Sequence, residues 1–232
     1  MTAPEKPRRN FYGRRSGHKL HKGRQRLVDE VLPSLRVSLP QTGFVDTAAL
    51  FSPPKKQLWL EIGFGGGEHL AWQAERNPDV GMIGCEPFLN GVASLLGHLQ
   101  TNKASNVRIF DDDARDLLDA LPDACLDRLF ILFADPWPKK RHNKRRIVNS
   151  ETIEAYARLL KEGAELRFAS DHMGYVAWTL ELLTNDPRFH WTARKADDWR
   201  VRPDDWPQTR YEIKSLAGDR SAYLTFVRTA AQ

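Results

Sequence analysis

Asp135 is followed by Pro136, Trp137 and Pro138, and then by Lys139, Lys140, Arg141, Lys144, Arg145 and Arg146, with His142 among them. A carboxylate, an aromatic plate and a run of cations so close together suit a charged, planar substrate: the plate stacks a base, the cations meet phosphates, and the carboxylate offsets positive charge at a reacting centre. A second set lies upstream, where Glu61 is followed by Gly63, Gly65 and Gly67. Glycines at this spacing allow a tight turn and close approach of backbone to a ligand. Dinucleotide enzymes use such a turn too, but their fingerprint needs a further glycine three residues after the second. Counted from Gly65, that position is Glu68, whose charge would repel a pyrophosphate. S-adenosylmethionine carries no phosphate. Glu86, after Met82-Ile83-Gly84-Cys85, is placed to accept from two ribose hydroxyls, and one carboxylate of Asp111-Asp112-Asp113 from an adenine amino group.

These acids act together only if the fold brings them to one edge. Short apolar runs predict strands over 57–62, 80–85, 106–110, 126–134 and 165–170. Helical patterns alternate with them at about 67–77, 90–102, 114–120, 151–161 and 174–183, and a short amphipathic helix precedes them at 27–35. Strand–helix alternation implies βαβ units and a mostly parallel sheet with helices on both faces. Ligands in such sheets bind outside the carboxyl ends of the strands, where Glu61, Glu86, the aspartate run and Asp135 all fall. The last third changes character. Segments 189–193, 211–216 and 222–227 read as strands without helices between them, the last two joined by a hairpin turn at Ala217-Gly218-Asp219-Arg220. The expected fold is α/β and Rossmann-like: a seven-stranded, mostly parallel sheet ending in an antiparallel hairpin.

Charge is unevenly spread. Residues 1–26 carry nine Lys and Arg against one acid, Glu5, about +8, so the remaining residues sum to about −3 within the overall +5. The organisation expected is a basic, flexible extension over 1–26 and a single catalytic domain over 27–232. Clustered cations favour a polyanion through phosphate neutralisation and counterion release. No apolar run reaches the ~20 residues that cross a bilayer, and no apolar stretch follows the N-terminal charges as in a secretory signal. Cys85 and Cys125 lack metal-ligand spacing and suit a reducing compartment, so a cytoplasmic protein is expected. The seven histidines form no ligand cluster in the sequence, and no metal is expected.

The stretch 133–148, Phe-Ala-Asp-Pro-Trp-Pro-Lys-Lys-Arg-His-Asn-Lys-Arg-Arg-Ile-Val, resembles the most characteristic motif of the bacterial tRNA (guanine-N7-)-methyltransferases. Glu61-Ile62-Gly63-Phe64-Gly65-Gly66-Gly67 is similar to their first motif; Ala169-Ser170-Asp171 and Thr209-Arg210-Tyr211-Glu212 are similar to two later ones. Arg9-Asn10-Phe11 and Lys22-Gly23-Arg24-Gln25 resemble the basic lead-in, so the similarity spans essentially the whole chain. The resemblance implies transfer of the methyl group of S-adenosylmethionine to N7 of a variable-loop guanine in tRNA. It also implies no obligate protein partner, and a monomer or homodimer.

Carried over by residue, the resemblance implies that Glu61, Glu86, Asp113 and Asp135 line the cofactor site together with Gly63, Gly65 and Gly67. It implies substrate contacts by Lys139, Asp171, Thr209, Arg210, Tyr211 and Glu212. Arg141, His142, Asn143, Lys144, Arg145 and Arg146 are implied to meet the RNA. The spacer 203–208 is longer than the family pattern suggests. Guanine N7 has a lone pair and no proton, so no general base is required, and Asp135 is the candidate for handling charge on the base. Lys139 is left to guanine O6 or to a phosphate. Competing expectations are a methyltransferase for small molecules or protein, a silent RNA-binding module and a dinucleotide oxidoreductase. The basic block, the intact strand-end acids and Glu68 argue against these in turn.

Overall fold

Apolar, β-branched runs give the strands of the computed structural model, which describes residues 10–208, 212 and 220–230. Strands β1 (Gln57–Ile62), β2 (Val80–Cys85), β3 (Val107–Phe110), β4 (Leu126–Leu132), β5 (Leu160–Ser170), β6 (Phe189–Trp191) and β7 (Ala222–Arg228) form one sheet in the order β3-β2-β1-β4-β5-β7-β6. The first five are parallel, and β7 runs antiparallel to both β5 and β6. Leu60, Ile83, Ile109, Leu129, Ile131 and Leu166 are fully buried, as strands covered on both faces require. Each such side chain contributes about 1.5–3 kcal/mol of hydrophobic stabilisation.

Helices α1 (Lys22–Glu30), α2 (Leu32–Leu35), α3 (Glu68–Arg76) and α4 (Leu89–Asn102) supply the core of one face. Helices α5 (Ala114–Ala120), α6 (Ser150–Leu159) and α7 (Met173–Thr184) supply the other. On the first face, the space over β4, β5 and β7 is filled by Trp206, 4% exposed, which packs on Tyr223 at 5.3 Å. Asp205 beside it pairs with Arg167 at 2.6 Å, neutralising a charge that the same face buries. The long spacer 203–208 is therefore a plug that covers part of the sheet. A single-turn helix, α8 (Asp197–Arg200), precedes it.

Register sets the site. Ile62 lies beside Cys85 and Ile131, Cys85 beside Phe110, and Leu132 beside Ala169. The chain therefore leaves the sheet at Gly63, Glu86, Asp111, Phe133 and Asp171 along a single edge.

Several boundaries differ from expectation. β4 stops at Leu132, two residues early, because Phe133 takes a left-handed φ of +53°. β5 starts at Leu160, directly after α6, so the polar residues at 161–163 are strand, lying where the sheet protrudes into solvent. Helix α1 begins at Lys22 and takes in part of the segment expected to be a flexible extension. The antiparallel C-terminal pair is β6 with β7. The strand expected over 211–216 and its turn at 217–220 fall, except for Glu212 and Arg220, outside the described residues; Glu212 itself is helical. Among the described residues, no helix is long and apolar enough to cross a membrane.

Candidate active site

One cavity of about 590 Å³ opens at the carboxyl edge, lined among others by Gly63, Gly65, Glu86, Asp113, Asp135, Trp137 and Arg145. Gly63 and Gly65 have φ of +74° and +54°, which glycine adopts without strain, and a Cβ built on either meets no atom within 4 Å. The turn thus presents bare backbone to open space. Glu86, 9% exposed, accepts from Gly65 N at 2.9 Å and Phe88 N at 3.0 Å, tying the glycine turn to the end of β2. Burial raises its pKa above the ordinary carboxylate range; these two N–H donors oppose the shift, and the charges of Asp135 and Glu61 add to it. Cys85, on the cavity wall, is pushed well up by burial and then by Glu86 and Asp113, which keeps the thiol protonated.

Asp113 caps α5, accepting from Arg115 N at 3.1 Å, and its carboxylate also receives Arg115 Nε at 3.0 Å. Arg115 continues to the Asn10 carbonyl at 3.0 Å. That link belongs to a wider docking of the N-terminal segment. Leu89 N donates to Arg15 O at 2.9 Å, and Gly17 N to Asn90 Oδ1 at 2.8 Å. Phe11, Tyr12, Gly13 and Arg14 accordingly form a wall of the cavity.

Asp135 is exposed at the mouth, in a turn bracketed by Phe133 and Trp137, whose φ values are +53° and +44°. Left-handed conformations cost non-glycine residues about 1–3 kcal/mol each and persist only where neighbours enforce them. Here Phe133 N donates to Ala169 O at 2.8 Å, fixing the start of the turn to the end of β5. Arg146 Nε donates to Pro136 O at 2.8 Å and fixes its middle. Trp137 meets Tyr12 and His142 edge-on, with centroids 6.4 and 6.0 Å apart. The Arg145 guanidinium lies 4.3 Å from the Tyr12 ring and 5.1 Å from Trp137. His142 is held below its ordinary value by desolvation and then by Arg145, Arg141 and Lys139, so it is neutral near pH 7.

Of the residues expected in the cofactor site, Gly63, Gly65, Glu86, Asp113 and Asp135 line the cavity, and Glu61 and Gly67 do not. Glu61 is 3% exposed and bonded to His69 Nδ1 at 2.7 Å. Gln73 Nε2 lies 3.2 Å from His69 Nε2 and donates to Asp205 O at 2.8 Å. The His69 ring is therefore held on both sides, by the Glu61 carboxylate at Nδ1 and by the Gln73 amide at Nε2. Glu61 is a buried acceptor behind the turn. Gly67 serves packing: its φ is +81°, and a Cβ there would meet Leu95 Cβ at 2.6 Å, where α3 crosses α4.

Of the expected RNA contacts, Arg141 and Lys144 are exposed, while His142, Asn143 and Arg145 are half-buried. Arg146 departs from expectation. It is 4% exposed, bonded to Pro136, and its guanidinium lies 5.0 and 5.2 Å from the rings of Tyr175 and Trp178. Burial lowers its pKa from the ordinary arginine value, while Tyr175 opposes the shift. Lys139 is exposed beside the turn, and Asp171 follows β5 at the same edge. Glu212 is held by the Tyr223 hydroxyl at 2.6 Å. Thr209, Arg210 and Tyr211 lie outside the described residues.

Sequence reasoning missed Tyr12, Gly91 and Arg115. The aromatic residues Phe11 and Tyr12 inside a cationic run were the available signal for the first. Gly91 in α4 presses on the cofactor turn, since a Cβ there would meet Gly65 O at 2.2 Å. A lone glycine in a helix gives no such sign.

Residues 55–225 match a family model described as "Putative methyltransferase". The tRNA (guanine-N(7)-)-methyltransferase of Rhodospirillum rubrum is 52% identical over 231 residues, covering 97% of this chain and 91% of that one. The protein of the same name from Chelativorans is 46% identical over 226 residues, covering 97% of each. Among solved structures, the chain is similar to an rRNA methylase from Streptococcus thermophilus, with TM-score 0.51 and 12% identity over 75% of this chain and 88% of that one. The 16S rRNA methyltransferase KamB gives TM-score 0.56 and 15% identity over 81% and 95%. These two likenesses concern the fold. The near full-length sequence identity goes further: the chain belongs to the tRNA (guanine-N(7)-)-methyltransferase family.

Proposed function

We propose that this protein transfers the methyl group of S-adenosylmethionine to N7 of a guanine in the variable loop of tRNA. The observation that carries the site assignment is one cavity lined both by carboxylates and by cations. Glu86, Asp113 and Asp135 line the same cavity as Arg14, Lys144 and Arg145. Carboxylates suit a cationic sulfonium ligand, and cations at the mouth suit phosphates. The names of the relatives supply tRNA and guanine N7.

The residues fit the cofactor. Gly63 and Gly65 offer backbone with open space before it, and Glu86 offers acceptors for ribose hydroxyls; Asp113, its carboxylate held by Arg115, stands on the same wall. When bound, S-adenosylmethionine supplies an electrophilic methyl group. The protein's part is presentation of the base. Trp137, held edge-on against Tyr12 with the Arg145 guanidinium near both rings, offers an aromatic surface on which a base stacks, and Asp135 stands beside it, aimed by a strained turn. Its carboxylate offsets the positive charge that methylation places on the guanine ring; one preorganised group of this kind is worth about 10²–10³ in rate. Arg141 and Lys144 hold the RNA backbone, and Lys139 and Asp171 flank the base.

The test is incubation of the purified protein with methyl-labelled S-adenosylmethionine and bulk tRNA, followed by nucleoside analysis. Label in 7-methylguanosine is expected. Label in another nucleoside removes the N7 assignment, and labelling of protein or small molecules instead removes the substrate class.

A further inference from the structure

We propose that Tyr223 is a positioning residue that fixes the Glu212 carboxylate at the reaction edge. The proposal deepens the functional reading above and rests on it, because the family resemblance implies a substrate contact by Glu212. Tyr223 stands on β7 opposite Ala169 of β5, two residues before Asp171. The Ala169 carbonyl accepts Phe133 N at 2.8 Å, the bond that starts the Asp135 turn. The Tyr223 backbone is thus beside the strand that leads to Asp171 and two strands from the one that leads to Asp135. Its hydroxyl donates to Glu212 Oε1 at 2.6 Å, a charge-assisted bond that holds Glu212 to the same edge.

The ring is itself fixed. Tyr223 is 7% exposed and packs against Trp206, whose own side chain is 4% exposed. The loop carrying Trp206 is pinned twice at the residue before it: Asp205 pairs with Arg167 at 2.6 Å, and its carbonyl accepts Gln73 Nε2 at 2.8 Å. Gln73 reaches His69 and so Glu61, at the end of the strand that leads into the cofactor turn. One side of Glu212 is therefore built on the same framework that carries the glycine turn. Burial and then Glu212 push the Tyr223 hydroxyl above its ordinary value, so it remains a donor at any working pH.

The test is a double-mutant cycle read by tRNA methylation kinetics and by S-adenosylmethionine affinity. Tyr223→Phe removes the hydroxyl and keeps the ring on Trp206. It is expected to lower kcat/KM for tRNA about ten- to hundredfold, the worth of a hydrogen bond to a charged group, with cofactor affinity unchanged. In a Glu212→Ala background the same change is expected to have no further effect. Glu212→Gln keeps an acceptor oxygen for the hydroxyl and should retain more activity than Glu212→Ala. That comparison stands even if Tyr223→Phe fails to fold. Full activity of Tyr223→Phe alongside a damaged Glu212→Ala overturns the positioning role and leaves the site reading intact. Equal losses from Tyr223→Phe in both backgrounds, or equal losses from Gln and Ala at 212, overturn it as well. Full activity of Glu212→Ala overturns the placement of Glu212 with substrate, and the positioning role with it.

Discussion

Arg146 donates Nε to the Pro136 carbonyl at 2.8 Å, so the last cation of the basic block is a brace inside the turn that carries Asp135. One of the charges that the resemblance assigns to RNA is spent on backbone. Arg141 and Lys144, earlier in the same block, remain at the surface.

The two kinds of cation therefore predict different phenotypes. Arg146→Met should cost about 1–3 kcal/mol of stability, through the orphaned Pro136 carbonyl and lost aromatic packing, and should lower turnover by disordering the turn. It should leave the salt dependence of tRNA binding unchanged. Arg141→Ala with Lys144→Ala should leave the melting temperature alone and reduce the slope of log K against log salt by about 0.7–0.9 per lost phosphate contact. Binding titrations over a salt series, with melting curves, distinguish them. Reversed phenotypes would mean that Arg146 reaches RNA.

Gly91 sets how closely α4 approaches the cofactor turn. Gly91→Ala places a Cβ 2.2 Å from Gly65 O, so the turn must move, and cofactor affinity should fall about tenfold, the equivalent of about 1.4 kcal/mol. Gly97→Ala, in the same helix, meets nothing within 4 Å and should stabilise the protein by about 0.5–1 kcal/mol with binding intact. Calorimetric titration of both variants with S-adenosylmethionine checks the contrast; equal affinities would contradict it.

The far end of the sheet has a pH-dependent tie. Arg188 bonds Glu154 and Asp186 at 2.7 and 2.6 Å, and holds both carboxylates below their ordinary values. A depressed carboxylate contributes stability that is present above its unfolded pKa and is lost as pH falls through its folded one. Arg188→Met should therefore lower the melting temperature at neutral pH by about 2–4 °C, for a loss of about 1 kcal/mol. The difference from the parent should shrink on acidification below the ordinary carboxylate range. A difference independent of pH would show that the side chain acts through packing alone.

Much of the sheet was legible because apolar runs and turn residues report local structure directly. β1, β2 and α5 begin and end where the pattern places them. The strand-end acids were legible as a set because parallel strands end on one edge. What was hidden depends on partners distant in sequence. Glu61 reads as a ligand residue until His69, one face along α3, takes its carboxylate. Helix α1 starts at Lys22 although 22–26 has no apolar periodicity, because Arg26 pairs with Glu30 and Leu27 and Val28 pack toward the α4 side of the core. The basic segment around Tyr12 reads as a tail; it becomes a cavity wall because Arg115, Leu89 and Asn90 bond its backbone.

The most direct measurement maps the product on tRNA. Reduction and strand scission at 7-methylguanosine, after treatment with this protein or with Asp135→Ala, should give one break in the variable loop for the parent and none for the variant. The variant should bind S-adenosylmethionine with nearly parental affinity. A break at another position, no break with the parent, or near-parental methylation by Asp135→Ala would contradict the assigned site.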